Sequence, residues 1–96
     1  MKLEWSEAAL ADFADILRHL PPEIAANTAA RVNETEHHIL LFPQAAYYDA
    51  TTNTYERYVP QTRVILIYHI DGDAIEIISA FHTSREPQTK RKRLSK

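Results

Sequence analysis

The chain has 96 residues, about one domain's worth of core, and contains no cysteine, so disulfides, thiolate metal sites and a cysteine nucleophile are excluded. Its formal net charge is −2, from 11 basic and 13 acidic residues, and that sum hides a split. All 13 acidic residues but only six of the 11 basic ones lie in residues 1–86, a net of −7, while residues 87–96 carry the other five basic residues, a net of +5. Lys90, Arg91, Lys92 and Arg93 are consecutive. Residues 88–96 therefore read as a flexible basic tail, either solvated or in contact with nucleic acid or an acidic partner. No apolar run reaches the ~20 residues that span a bilayer. Met1–Trp5 lacks the apolar stretch of a signal peptide, so a cytoplasmic protein with no membrane role is expected.

Leu3–Trp5 reads as a short first strand. Ser6 suits a helix N-cap, because its hydroxyl can accept from a free backbone N–H of the first turn. Glu7 adds negative charge at the positive end of the helix dipole. Leu10, Phe13, Ile16, Leu17 and Leu20 form one helical stripe, with Asp12, Asp15 and Arg18 off it. Pro21-Pro22 ends this helix, and Pro22 can open the next, where its missing N–H costs little. Ile24, Thr28, Val32, Thr35, Ile39 and Phe42 recur at helical spacing, and Pro43 closes the run. So short a connection predicts an antiparallel helical hairpin. Gln44–Asn53 has no clear period and reads as a loop.

From Tyr55 the pattern changes to strands. Tyr55–Val59, Arg63–Ile70 and Ala74–His82 are rich in β-branched and aromatic residues. Asp71-Gly72-Asp73 between the last two is a hairpin signal, since glycine supplies the positive φ of a tight turn. In the strand from Arg63 both faces are largely apolar, which predicts a central strand. The helical hairpin covers one face, and the face bearing Arg63 and His69 meets another layer, a partner or a site. The order β-α-α-β-β-β predicts an α+β domain over residues 1–87, a helical hairpin on a mostly antiparallel sheet.

Several motifs stand in an order that resembles the RelE/ParE family of bacterial toxins from type II toxin–antitoxin modules. Leu3-Glu4-Trp5-Ser6 followed by Ala8-Ala9-Leu10-Ala11-Asp12 looks like the family's opening, and Ile39-Leu40-Leu41-Phe42-Pro43 like the end of its second helix. Arg57-Tyr58-Val59, Thr62-Arg63, Ile65–Asp73 and the closing Phe81-His82-Thr83-Ser84-Arg85 resemble its C-terminal strands. The resemblance implies one of two activities on one fold. RelE-like members are similar to ribonucleases that cleave messenger RNA on the ribosome. ParE-like members are similar to inhibitors of DNA gyrase that bind without hydrolysing a substrate. Either kind implies a cognate antitoxin partner and no cofactor, with plasmid stabilisation and growth arrest as the associated roles.

RNA cleavage by 2′-hydroxyl attack needs a base, an acid and cations for the charged phosphorane. Arg57, Arg63, His82 and Arg85 are the nearest catalytic set, with His69 as another acid/base candidate. Arg57, Tyr58, Arg63, Tyr68, His82 and Arg85 are the candidates for binding a target or the antitoxin, and Tyr47, Tyr48 and Tyr55 are further anchors. Arg63 and Arg85 border apolar runs, so each needs a partner, with Glu56, Glu76 or Glu86 as candidates, or an open groove. His37 and His38 are adjacent on a helix and point about 100° apart, so a shared metal is not expected, and His19 suits the negative end of the first helix. Three features weigh against the nuclease: an acidic body facing a polyanion, no lysine between residues 3 and 89, and no tyrosine after Arg85. The ParE-like reading, a gyrase-binding toxin, therefore leads over the ribosome-dependent nuclease and over an inactive or differently targeted member.

Overall fold

Ser6 caps the first helix as its chemistry requires: its hydroxyl accepts from the Ala9 N–H at 3.0 Å. The computed structural model describes residues 1–84. They form β1 (Lys2–Trp5), α1 (Glu7–Arg18), α2 (Pro22–Leu41), β2 (Tyr47–Asp49), β3 (Thr54–Tyr58), β4 (Val64–Asp71) and β5 (Ala74–His82). Pro21 is the N-cap of α2 and Pro22 its first residue, so the two prolines separate the helices as predicted.

The five strands form one sheet in the order β1-β5-β4-β3-β2. β1 runs parallel to β5, and every other pairing is antiparallel. The β4–β5 hairpin turns at Gly72, whose φ is +62°. β4 is central, and Val64–Tyr68 are all buried. One correction concerns the expected loop at Gln44–Asn53: Tyr47–Asp49 form an edge strand, with Tyr47, Tyr48 and Asp49 opposite Glu56, Tyr55 and Thr54. Three residues are too few to show a period of two, so this strand left no pattern in the sequence.

One core cluster joins Ala9 and Ile16 of α1, Val32 and Ile39 of α2, and Val64, Leu66, Tyr68, Ile75, Ile77 and Ala80 of the sheet. Each large aliphatic group buried here contributes about 1.5–3 kcal/mol. A second cluster, Ile65, Ile67 and Phe81 with Ile78 against it, occupies the other face of the sheet. The register shifts between Ile67 and Tyr68, where Ser79 and Ile77 are the partners and Ile78 is the extra residue. This bulge explains why Ile75 and Ile77 share a cluster with Ala80 although their positions differ in parity.

The predicted stripes are accurate at their centres and fail at their ends. Thr28, Val32, Thr35 and Ile39 are buried along α2, whereas Ile24 and Phe42 are 52% and 59% exposed. On α1, Ile16 is buried while Leu10 is 54% exposed, and Ala9 takes the core position beside it. Asp12, set off the stripe by its polarity, joins α1 to β5: its carboxylate accepts from the Ser79 hydroxyl and the Ala80 N–H, both at 3.1 Å. Trp5 fixes β1 against α2 by donating its indole N–H to Glu36 at 2.7 Å.

Candidate functional site: a groove and a tyrosine ladder

Two regions gather the candidate side chains. The first is an open groove of about 650 Å³ where the α1–α2 corner meets the β3–β4 turn and the end of β5. The helical corner supplies Leu20, Ile24, Asn27 and Thr28. The turn supplies Gln61, Thr62 and Arg63, and the end of β5 supplies His82 and Ser84.

The turn is built by its own hydrogen bonds. Thr62 donates its N–H to the Val59 carbonyl at 3.3 Å and its hydroxyl to the same oxygen at 2.7 Å. The Val64 N–H then donates to the Thr62 hydroxyl at 3.0 Å. Pro60 presets φ at the turn's second residue, and Gln61 takes a left-handed φ of +63° at the third, where glycine is the usual residue. Arg63 donates to the Ser84 hydroxyl at 3.2 Å, and its carbonyl accepts from the Thr83 N–H at 2.7 Å. His82 sits opposite Val64 and is 9% exposed.

The second region is a cross-strand ladder of tyrosines. Tyr48, Tyr55 and Tyr68 are register partners on β2, β3 and β4. The Tyr48 and Tyr55 ring centres are 4.8 Å apart, and Tyr55 stacks on Tyr68 at 5.4 Å with 14° between planes. Tyr68 is fully buried and donates its hydroxyl to the Pro43 carbonyl at 2.6 Å. Burial pushes its phenol up to about 12; the Arg57 guanidinium opposes that rise and Tyr55 adds to it. Arg57 donates to the Ala45 carbonyl at 3.2 Å and belongs to this region, not to the groove. Its register partner Leu66 lies three residues along β4 from Arg63, about 10 Å at ~3.3 Å per residue.

The remaining candidates are dispersed. Tyr58 lies opposite Ile65 and is 52% exposed. His69 is bonded to Glu76 at 2.9 Å, so this carboxylate serves a histidine across the strand and not an arginine. His37 and His38 are exposed on α2, and among the described residues no three metal-ligating side chains come together. His19 is the C-cap of α1, and its ring nitrogen lies 2.8 Å from the Asp15 carbonyl. Arg85, Glu86 and the basic run Lys90–Arg93 lie outside the described residues. The sequence reading missed Asn27, Thr28, Gln61 and Thr62 as parts of one groove. The Pro60-Gln61-Thr62 turn was its one local signal, and only the packing of the helical corner completes it.

A two-helix hairpin on a mixed five-stranded sheet places the chain in a class of small α+β folds. Residues 3–87 match the family described as the ParE toxin of the type II toxin–antitoxin system parDE, and the chain belongs to that family. The fold is similar to a solved structure of the chromosomal ParDE toxin–antitoxin system from P. aeruginosa, with a TM-score of 0.73 and 19% identity over 85% of this chain and 95% of that one. It is also similar to the intact E. coli RelBE toxin–antitoxin complex, with a TM-score of 0.60 and 17% identity over 86% and 96% of the two chains. The isolated E. coli RelE toxin gives a TM-score of 0.60 and 15% identity over 94% and 92%. No curated protein sequence matches the chain at a significant level. Among the described residues no helix is long and apolar enough to cross a membrane.

Proposed function

We propose that this chain is the growth-arresting toxin of a toxin–antitoxin pair, acting in the cytoplasm by binding a complex of DNA gyrase with DNA, and neutralised by a cognate antitoxin. The family match over residues 3–87 carries this reading. Two further observations support binding over chemistry. Arg57 is engaged at the Ala45 carbonyl and His69 at Glu76, so neither of these two joins Arg63 and His82 at the groove. Residues 1–86 also carry a net charge of −7, which repels a polyanionic substrate. The antitoxin follows from the family description and from the complexes in which similar folds were solved.

The test adds the purified chain to gyrase and measures supercoiling and drug-free DNA cleavage. Inhibited supercoiling with trapped cleaved DNA is expected, and unchanged gyrase at molar excess removes the proposal. The nuclease is the second reading, because Arg63 and His82 line one groove. It requires discrete cleavage of messenger RNA on programmed ribosomes, lost in Arg63→Ala with the fold intact.

A further inference from the structure

Residues 41–48 contain no charged side chain and run from the end of α2 onto β2, the outer strand of the sheet. Leu41, Phe42, Tyr47 and Tyr48 in this stretch are 70%, 59%, 65% and 44% exposed. They are half of the large hydrophobic side chains that stand exposed among the described residues. An apolar patch beside an open strand edge invites pairing, and proteins guard such edges with charged side chains, proline or a covering element. The opposite edge is guarded: β1 carries Lys2 and Glu4, ion-paired at 3.6 Å. Tyr47-Tyr48-Asp49 has neither lysine nor proline.

The tyrosine ladder selects what pairs there. Tyr68, Tyr55 and Tyr48 stand opposite one another on β4, β3 and β2, with successive ring centres 5.4 and 4.8 Å apart. Tyr48 is held in place by donating its hydroxyl to Asn53 at 2.7 Å. The ladder therefore stops at a fixed, half-exposed ring, on a strand where alternate residues turn their backbone groups away from the sheet. An antiparallel two-fold axis through Tyr48 sets it opposite the same tyrosine of a second copy, and sets Tyr47 opposite that copy's Asp49. Each carboxylate then faces a tyrosine, and the ladder continues into its own symmetry mate. At about 150–250 Å² per aromatic side chain, the exposed parts of Phe42, Tyr47 and Tyr48, with Leu41, come to about 450 Å². Covering all four in both copies removes about 900 Å² from water, short of the ~1,200 Å² of a standard interface, so the association is weak.

We propose that β2 pairs with β2 of a second copy, antiparallel about a two-fold axis at Tyr48, and joins the two five-stranded sheets into one in a weak homodimer. This surface is separate from the groove and does not depend on the function proposed above.

The test measures sedimentation of the full chain from about 5 to about 500 µM. A reversible monomer–dimer equilibrium with a dissociation constant of about 10–100 µM is expected. Tyr48→Lys places two ammonium groups opposite each other and should weaken the dimer about tenfold or more. Leu10→Lys, which changes an exposed apolar residue of α1, should leave it unchanged. Because the chain has no cysteine, the register can be tested separately. Tyr47→Cys chains mixed with Asp49→Cys chains should form a disulfide under copper–phenanthroline faster than either variant alone. This pair keeps Tyr48 and decides the matter if Tyr48→Lys does not fold. A chain that stays monomeric over the whole range overturns the proposal and leaves the edge to a strand from another protein. A dimer that Tyr48→Lys leaves intact, or that Leu10→Lys weakens equally, also overturns it, as does cross-linking no faster in the mixture than in the separate variants.

Discussion

Replacing Tyr68 by phenylalanine removes one oxygen from the centre of the sheet and little else. The ring and its stacking on Tyr55 at 5.4 Å remain, so no cavity forms. What is lost is the 2.6 Å hydrogen bond to the Pro43 carbonyl, which ties β4 to the segment that follows α2. A neutral hydrogen bond contributes about 1 kcal/mol net, and a carbonyl left without its donor adds to that, so a loss of about 1–2 kcal/mol is expected. For a domain of this size that lowers Tm by roughly 5–15 °C. Urea melts followed by circular dichroism measure it directly. The same variant carries a pH signature. Burial raises the phenol's pKa from 10.0 to about 12, so above pH 10 the unfolded chain gives up a proton that the folded chain keeps. The native protein's advantage over Tyr68→Phe is therefore full below pH 10 and declines as pH rises towards 12. A stability difference below about 0.3 kcal/mol at pH 7, or a difference that stays flat from pH 9 to 12, refutes the reasoning.

Other expectations follow from single contacts. Asp12→Ala removes the acceptor for Ser79 and Ala80, and a loss of about 2–3 kcal/mol is expected by chemical denaturation, with Asp12→Asn retaining part of it. Glu36→Ala frees the indole N–H of Trp5, the only tryptophan; its emission should shift and stability should fall by about 1 kcal/mol, while Glu36→Gln keeps an acceptor and the emission. Gln61→Gly relieves the left-handed backbone and should raise stability by about 0.5–1 kcal/mol, since the strain removed exceeds the added freedom of the unfolded chain. An unchanged or lower denaturation midpoint would show that Gln61 is unstrained.

The features that could be read before the structure share a local cause. Ser6, Pro21-Pro22 and Asp71-Gly72 act through their own backbone and immediate neighbours, so the helix start, the break between helices and the hairpin are visible in the sequence. Central β4 was visible because burial on both faces leaves Val64–Tyr68 uniformly apolar or aromatic. The failures are tertiary. Nothing near Tyr47–Asp49 shows that this segment pairs with β3; the tyrosine ladder appears only when Tyr48, Tyr55 and Tyr68 stand in register. The bulge at Ile78 is silent because positions 77 and 78 are both isoleucine, so the sequence does not show which one faces the core. Asp12 reads as a solvent-facing residue until β5 offers it a hydroxyl and an N–H. The site behaves alike: Arg63 and His82 were named from the strands that carry them, but the groove needs the α1–α2 corner, more than 30 residues away in sequence.

That dependence on the corner bears on how a partner would act. The groove's aliphatic wall comes from the helical hairpin and its cation from the sheet, so a bound segment would bridge the two layers. Its contacts add to those that already hold α1 on β5 through Asp12, and a partner that binds only the folded chain stabilises it by mass action. At a partner concentration one hundred times its dissociation constant, that gain is about 2.7 kcal/mol. It would offset most of the loss expected for Asp12→Ala. Co-expression with the antitoxin should therefore restore soluble Asp12→Ala protein, measured as the soluble fraction with and without the partner. An unchanged soluble fraction would show that the partner does not bind the folded chain tightly enough for this linkage.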